Sequence, residues 1–409
     1  MKTDNPQKCV MVIAGETSGD IHAAHLVHAM RAKDPNLFFC GFGGEAMHNA
    51  GVRILVDAND LAVVGITEVI GRLPVIFRSM SRAKALLKSL APELLIIVDF
   101  PDFNLRVAKF AKKIGITVLY YISPQVWAWR ENRVHTIKKR IDHLAVILPF
   151  EADFFKKYDL PVTFVGHPLL DELPQSGPDN DYLPVPTSPV IGFLPGSRPK
   201  EILRLLPAML GAAAQIAVRL PSAKFQISAA PGIDKEWLEY LIGLYQPKIE
   251  IVVVKEDVHR FMANSHVLVA ASGTVTLQAA LSGKPLVIIY KVSGFSYFLG
   301  KHLIRVKFIG LVNLIADEEL APELIQKDAT PEKIAQKVIE IISDKETYQS
   351  LCRKLAALKE RLGGRGASER CAEIAIDLMQ KMPQPLLLPF GHREDSETIQ
   401  KEIPPRVKC

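Results

Sequence analysis

The chain has little of what marks several large function classes. Only five cysteines occur in 409 residues, at Cys9, Cys40, Cys352, Cys371 and Cys409. They are scattered, odd in number and without metal-ligand spacing. That excludes a disulfide scaffold and is expected of reduced thiols in a cytosolic protein. No GxxxxGKS/T segment is present, so a P-loop ATPase is set aside. The glycine turn after the first apolar run lacks GxGxxG, so a dinucleotide fingerprint is not supported either. The N-terminal apolar run is short, better read as a first strand than as a signal peptide or a spanning helix. Aromatics make up 7% of the chain and none interleaves with a basic stripe. Nucleic acid is therefore not an expected partner.

What is present is an ordinary globular balance, 48% hydrophobic and 23% charged, with a formal net charge of +6. The length suits two domains, each with its own core. A mildly basic chain suits anionic ligands or an anionic membrane surface. Short apolar runs alternate with amphipathic stretches, the pattern of α/β units. Strands are expected at Val10–Ala14, Leu37–Gly41, Leu94–Val98, Val118–Ile122, Leu144–Leu148 and Val162–Val165, with helices at Asp20–Ala32, Val64–Leu90, Asn104–Ile114, Arg130–Arg140 and Phe150–Tyr158. A proline-rich stretch follows. The logic then repeats, with strands at Val190–Leu194, Phe225–Ser228, Ile249–Val254, Val267–Ala270 and Pro285–Ile289. From Thr330 only helices are expected, at Pro331–Ser343, Glu346–Leu362 and Ser368–Met379. The expected organisation is a first α/β domain at 1–166, a linker at 167–189 and a second α/β domain at 190–345. Helices at 346–380 pack back across the domains, and 381–409 is a loose tail. The fold class is two Rossmann-like doubly wound domains facing across a cleft, where ligands sit beyond the carboxyl ends of the strands.

Two turns in the second half have the makings of an anion site. Val190–Leu194 runs into Pro195-Gly196-Ser197-Arg198 and then a helix, which brings backbone N–H groups, a helix dipole and a guanidinium to one place. Val267–Ala270 runs into Ser272-Gly273-Thr274, whose hydroxyls suit phosphate but serve equally as helix caps. A diphosphate is the natural ligand of the pair. In the first half an apolar strand delivers Asp99 at its carboxyl end, partly desolvated and so more basic, as a general base needs. Asp102 reads more readily as a turn or cap residue before the helix at Asn104. Glu16, Ser18 and Asp20 suit a polyhydroxylated substrate, although Ser18 or Asp20 can also be a plain N-cap.

Three further features are ambiguous. His22, His25 and His28 fall at helical spacing but have no acidic partner in register, so no metal is expected. In Val63–Phe77 the apolar residues go almost all the way round a helix, with Val64, Ile66, Val69, Ile70, Leu73, Ile76 and Phe77 either buried or dipping into a membrane. Phe295–Phe308 mixes aromatics with Lys301, Arg305 and Lys307, as a lipid-phosphate-facing surface does. Core packing explains both stretches equally well.

The ordered set GETSGD (Gly15–Asp20), VDFPDFN (Val98–Asn104), SPQVWAWR (Ser123–Arg130), FVGHPL (Phe164–Leu169), LPGSRPKE (Leu194–Glu201), SGTVTLQ (Ser272–Gln278) and LVNLI (Leu311–Ile315) resembles the lipid-A-disaccharide synthases. The resemblance implies the GT-B glycosyltransferase fold and family 19 chemistry. That chemistry is inverting transfer of 2,3-diacylglucosamine from its UDP donor to the 6-hydroxyl of 2,3-diacylglucosamine 1-phosphate. It implies no metal or other cofactor, and work at the cytoplasmic face of the inner membrane; a homodimer is admitted. By the same resemblance Asp99 is the base and Arg198 stabilises the leaving diphosphate. Ser197, Ser272, Gly273, Thr274 and Asn313 surround that diphosphate, and Glu16, Ser18, Asp102 and Asn104 lie near the sugars. One departure is Gln278, where many relatives have a glutamate suited to ribose hydroxyls; weaker or altered donor binding is expected. A UDP-sugar epimerase of the same fold and a non-catalytic UDP-sugar or lipid-binding protein are the competing expectations.

Overall fold

The apolar runs become two parallel sheets. The computed structural model describes residues 7–58, 66–173, 187–292 and 306–381, with the backbone alone described for 66–73. The first half supplies β1 (Cys9–Ala14), β2 (Phe38–Gly43), β3 (Arg53–Asp57), β4 (Leu94–Val98), β5 (Thr117–Tyr121), β6 (His143–Val146) and β7 (Val162–Phe164), in spatial order β3-β2-β1-β4-β5-β6-β7. The second supplies β8 (Val190–Leu194), β9 (Lys224–Ser228), β10 (Ile251–Val254), β11 (Val267–Ala271), β12 (Leu286–Tyr290) and β13 (Glu323–Ile325), in order β10-β9-β8-β11-β12-β13. In each sheet the chain winds one way from a central strand and then returns to its other side. The strand order reverses between β1 and β4, and again between β8 and β11. These two places are where a doubly wound sheet opens a crevice for ligand.

The central strands are apolar throughout because both faces are covered. In the first sheet Met11, Ile13, Leu95, Ile97 and Tyr120 point into one core layer. Their neighbours Val10, Val12, Leu94, Ile96, Val98 and Tyr121 point into the opposite one. That second layer is closed from the far end of the chain: Cys371, Ala372, Ala375 and Met379 of the helix Ala367–Gln380 pack against Ala23, Leu26 and Val27 of the helix Thr17–Lys33. Small side chains on both helices let them approach closely. Leu355 and Leu358 of the preceding helix, Lys345–Arg361, and Leu362 just after it join the second sheet's core together with Leu148, Leu169 and Leu170 from the first half. Among the described residues one helix, Pro199–Arg219, is long and apolar enough to cross a membrane. It is a core helix, with Ile202, Leu205, Met209, Ala212 and Ile216 buried in the same layer as the helix Pro331–Ser343.

Several boundaries differ from expectation, each for a local reason. The helix expected from Asn104 begins at Pro101, whose fixed φ and missing N–H suit a first helical position. The first helix begins at Thr17 rather than Asp20. The single helix expected at Arg130–Arg140 is two short pieces, a 3₁₀ turn at Glu131–Arg133 and Val134–Lys138, preceded by a separate helical turn at Val126–Trp129. The edge strands β3 and β13 were not foreseen, being short and only partly buried. Val64, the membrane-contact side chains Ile66, Val69, Ile70 and Leu73, the residues Lys301 and Arg305, and the tail with Cys409 lie outside the described residues or side chains.

Candidate functional site

At the first reversal, Ala14 pairs with Val98, so the turn after β1 and the turn after β4 leave the sheet side by side. Asp99 and Phe100 follow β4 in left-handed backbone, φ 45° and 48°. Each such residue costs roughly 1–2 kcal/mol, and the surroundings hold it in place. The Asn104 Nδ2 donates to the Asp99 carbonyl at 2.7 Å and to the Val98 carbonyl at 3.1 Å, and the Tyr120 hydroxyl donates to the Asp99 carbonyl at 3.0 Å. The Phe100 ring lies so close over Gly15 that a Cβ there would sit 2.3 Å from it, so the glycine of GETSGD is required by packing. The clamped backbone leaves the Asp99 carboxyl half-buried. Burial, then the Glu16 carboxylate, push its pKa up to about 6. A carboxyl poised there is an effective base near neutral pH.

The neighbouring candidates divide. Glu16 and Ser18 are exposed beside that turn, and Glu16 begins the helix without a side-chain cap. Asp20 is buried instead, and its carboxylate accepts from the backbone N–H groups of Gly44, Ala46 and Met47 at 2.6, 2.9 and 3.2 Å. It therefore caps the start of the helix Glu45–Asn49 rather than its own helix, and is spent on structure. Asp102 is exposed in the first turn of its helix and pairs with Arg133. Asn104, expected near the sugar, is fully buried and serves the Asp99 backbone.

At the second reversal Leu194 pairs with Ala270, which again sets the two motif turns side by side. Gly196 adopts φ 112°, and a Cβ would lie 2.3 Å from the Glu201 carboxylate, so glycine is needed on both counts. Ser197 and Arg198 are exposed, with Arg198 at the N-cap of the helix Pro199–Arg219. On the neighbouring strand Gly273 and Thr274 are exposed and Ser272 is half-buried. Gly273 itself is the N-cap of the helix Thr274–Leu281 and no side chain caps it, so Ser272 and Thr274 are not acting as caps. The half-buried Gln278 stands one turn beyond Thr274 on the same face. Asn313 corrects the expectation of a ligand-facing side chain. It is fully buried, with Nδ2 donating to the Ala321 carbonyl and Glu323 while Oδ1 accepts from Leu320 and Ala321. Glu323 completes that knot by accepting from the N–H groups of Ile309 and Gly310 at 2.8 and 2.9 Å.

Two clusters escaped the sequence reading. Glu151 is 1% exposed and its carboxylate accepts from Trp127 Nε1 at 3.1 Å, Ser123 Oγ at 3.3 Å and the N–H groups of Ile147 and Leu148. Burial raises its pKa to about 7. The SPQVWAWR segment is thus anchored from inside, while Trp129 stays exposed under the Arg130 guanidinium at 4.1 Å. The signal was there, two tryptophans in a short motif, but their partner lies on a separate helix. The second cluster joins His22 and His25 to Glu172, the acidic partner the histidines lacked in sequence; His28 is exposed and outside it. In the apolar helix Ile66–Leu90, Phe77 is 63% exposed, whereas Ile76 is half-buried against the first core.

Two doubly wound domains, with the Asp99 turn at the reversal of one sheet and the Arg198 and Ser272–Thr274 turns at the reversal of the other, define a fold class, the GT-B glycosyltransferase fold that UDP-N-acetylglucosamine 2-epimerases share. Solved structures of this architecture include a putative UDP-N-acetylglucosamine 2-epimerase from Listeria monocytogenes (TM-score 0.61, 13% identity, 93% of this chain and 98% of that one). MurG of Acinetobacter baumannii is another (TM-score 0.59, 14% identity, 91% of this chain and 100% of that one). Such identities speak for the fold alone. The sequence profile described as lipid-A-disaccharide synthetase matches residues 10–375. Lipid-A-disaccharide synthase of Nitrosococcus oceani is 44% identical over 382 residues, covering 92% of this chain and 98% of its own. That of Trichlorobacter lovleyi is 43% identical over 379 residues, covering 91% and 98%. The chain belongs to the lipid-A-disaccharide synthase family, and is a glycosyltransferase.

Proposed function

We propose that this chain transfers 2,3-diacylglucosamine from UDP-2,3-diacylglucosamine to the 6-hydroxyl of 2,3-diacylglucosamine 1-phosphate. The observation that carries this is the pairing of reversal points: Asp99 beside Gly15–Glu16 at β1/β4, and Arg198 beside Ser272–Thr274 at β8/β11. The Asp99 carboxylate takes the proton of the acceptor 6-hydroxyl as that oxygen attacks the anomeric carbon from the face opposite UDP. The bond to the diphosphate breaks, its electron pair leaves with UDP, and the new β-1,6 bond inverts the centre. Arg198, with Ser197 and the N–H groups of Gly273 and Thr274 at the start of the helix, stabilises the charge building on the diphosphate, a task worth about 3–4 kcal/mol per well-placed donor. Gln278 stands further along the same helix face for the ribose hydroxyls. Glu16 and Ser18 border the acceptor. Asn104 and Asn313 act through backbone they hold, not through contact with ligand.

The first domain holds the acceptor and the second the donor. The enzyme works as a peripheral protein at the cytoplasmic face of the inner membrane, reading support from the exposed Phe77 on a helix that also exposes Arg78 and Arg82. The deciding experiment incubates the protein with both diacylglucosamine substrates and follows products by mass spectrometry. Disaccharide 1-phosphate and UDP are expected. The Asp99→Ala variant should lose turnover by about 10²–10⁴-fold while still binding UDP. An epimerised UDP-sugar in place of disaccharide would overturn the reading, and substantial activity in the variant would remove Asp99 as the base.

A further inference from the structure

Segments from distant parts of the chain meet where the first domain hands over to the second. His22 and His25 stand one turn apart on the helix Thr17–Lys33, and Glu172 ends the short helix Leu169–Glu172 after β7. One ligand atom from each lies within 4.8 Å of the other two. The His22 Nδ1 is 3.7 Å from the Glu172 carboxylate and is closed off from solvent without a hydrogen-bond partner. Leaving such a nitrogen unpaired costs about 1–3 kcal/mol, so the place is unsatisfied as it stands. The adjacent Asp171 is already spent on the N–H groups of Gly366 and Ala367 at 2.6 and 3.2 Å, which leaves Glu172 as the available carboxylate. From the second half of the chain, His259 also has a buried Nδ1 without a partner.

We propose that His22, His25 and Glu172 form a binding site for a divalent transition cation, zinc above all, which ties the first helix to the segment leading into the second domain. Two imidazoles and one carboxylate are a zinc-type donor set and a poor one for magnesium or calcium, which prefer oxygen throughout. Tetrahedral zinc holds its donors about 3.3 Å apart. From the 4.8 Å within which they now lie, the donors need to close by at most about 1.5 Å, within reach of half-buried side chains changing rotamer. The fourth position falls to water. None of these residues has a part in the transfer step proposed above, so the tie is independent of it.

The test uses the full-length protein, stripped with chelator, and zinc alone, with cobalt as the spectroscopic probe. The expected result is one equivalent of metal per chain, a cobalt spectrum of nitrogen and oxygen ligands, and a raised melting temperature with zinc. His25→Ala and Glu172→Gln, both at half-buried positions where the fold should survive, each weaken binding by at least about tenfold. His28→Ala, on the exposed part of the same helix, leaves it unchanged. The proposal falls if no stoichiometric binding occurs, or if His25→Ala binds as the parent does. It falls too if cobalt shows a thiolate charge-transfer band, because the Cys9 and Cys40 sulfurs, 3.9 Å apart, would then be the ligands.

Discussion

Asp99 combines a strained backbone with a carboxyl held away from water, and both have consequences for rate. An aspartate at its ordinary value of about 3.9 keeps its basic form down to about pH 4. Asp99, pushed up to about 6, gives that form up much earlier. Only the carboxylate accepts the hydroxyl proton, so kcat/KM is expected to fall about tenfold per pH unit below roughly pH 6. The Glu16 charge is the second cause of the shift, after burial. Glu16→Gln should therefore move the acid limb to lower pH without taking it down to the ordinary aspartate value. A parent limb near pH 4 would mean that another group sets it. Asn104 belongs to the same account as a positioning residue: its amide bridges the Val98 and Asp99 carbonyls and offers nothing to a sugar.

Among whole elements, the helix Ile66–Leu90 is the one whose environment the chain leaves half-specified. One side is settled by Met80, Ala83 and Leu87, buried in the first core. The other presents Phe77, Arg78, Ser81 and Arg82 to solvent, an apolar ring among cations. Anionic lipid attracts each such cation by about 1 kcal/mol, and an inserted phenylalanine adds roughly 1.5–3 kcal/mol. Phe77→Ser is thus expected to lower partitioning onto anionic vesicles by about tenfold or more, measured by flotation, with the melting temperature unchanged. Equal flotation combined with a lower melting temperature would return Phe77 to a packing role. Elements such as β4 and β8 were legible in the sequence because an unbroken apolar run ends at a turn residue, and that alone places Asp99 and Arg198 at strand ends. What was not legible is what lies across from each turn. Asp20 looks like a cap for its own helix, yet it caps Glu45–Asn49. Asn313 looks ligand-facing, yet Glu323 and Ala321 claim its amide. Glu172 is far along the chain from His22. Periodicity reports which face of an element is apolar and carries nothing about which remote polar group will meet it.

At the scale of the molecule, the two halves are bridged by contacts between the segment after β7 and the turn before the last helix. The chain leaves β7 through Val165-Gly166-His167, where it meets the loop before the last helix. The Arg370 guanidinium donates to the carbonyls of Val165 at 2.7 Å, Gly363 at 3.3 Å, Gly364 at 3.1 Å and Arg365 at 2.6 Å, and the His167 N–H donates to the Leu362 carbonyl at 3.0 Å. Gly166 sits inside this knot at φ 86°, where a Cβ would lie 2.5 Å from Arg370 Nη2 and 3.1 Å from the Leu362 carbonyl. Gly115 has nearly the same backbone, φ 82°, with nothing within 4 Å. Alanine at either position incurs left-handed strain of roughly 1–2 kcal/mol. At Gly166 it also displaces the guanidinium from the part-buried Val165 carbonyl and the exposed carbonyls of the turn, a further cost of about 1 kcal/mol. Gly166→Ala is therefore expected to lower the denaturation midpoint clearly more than Gly115→Ala. Because the knot couples two cores, its loss should also broaden or split the transition that Gly115→Ala leaves single. Equal shifts with single transitions in both variants would show that the domains are held together elsewhere, through the Leu148, Leu169 and Leu170 contacts with the second core.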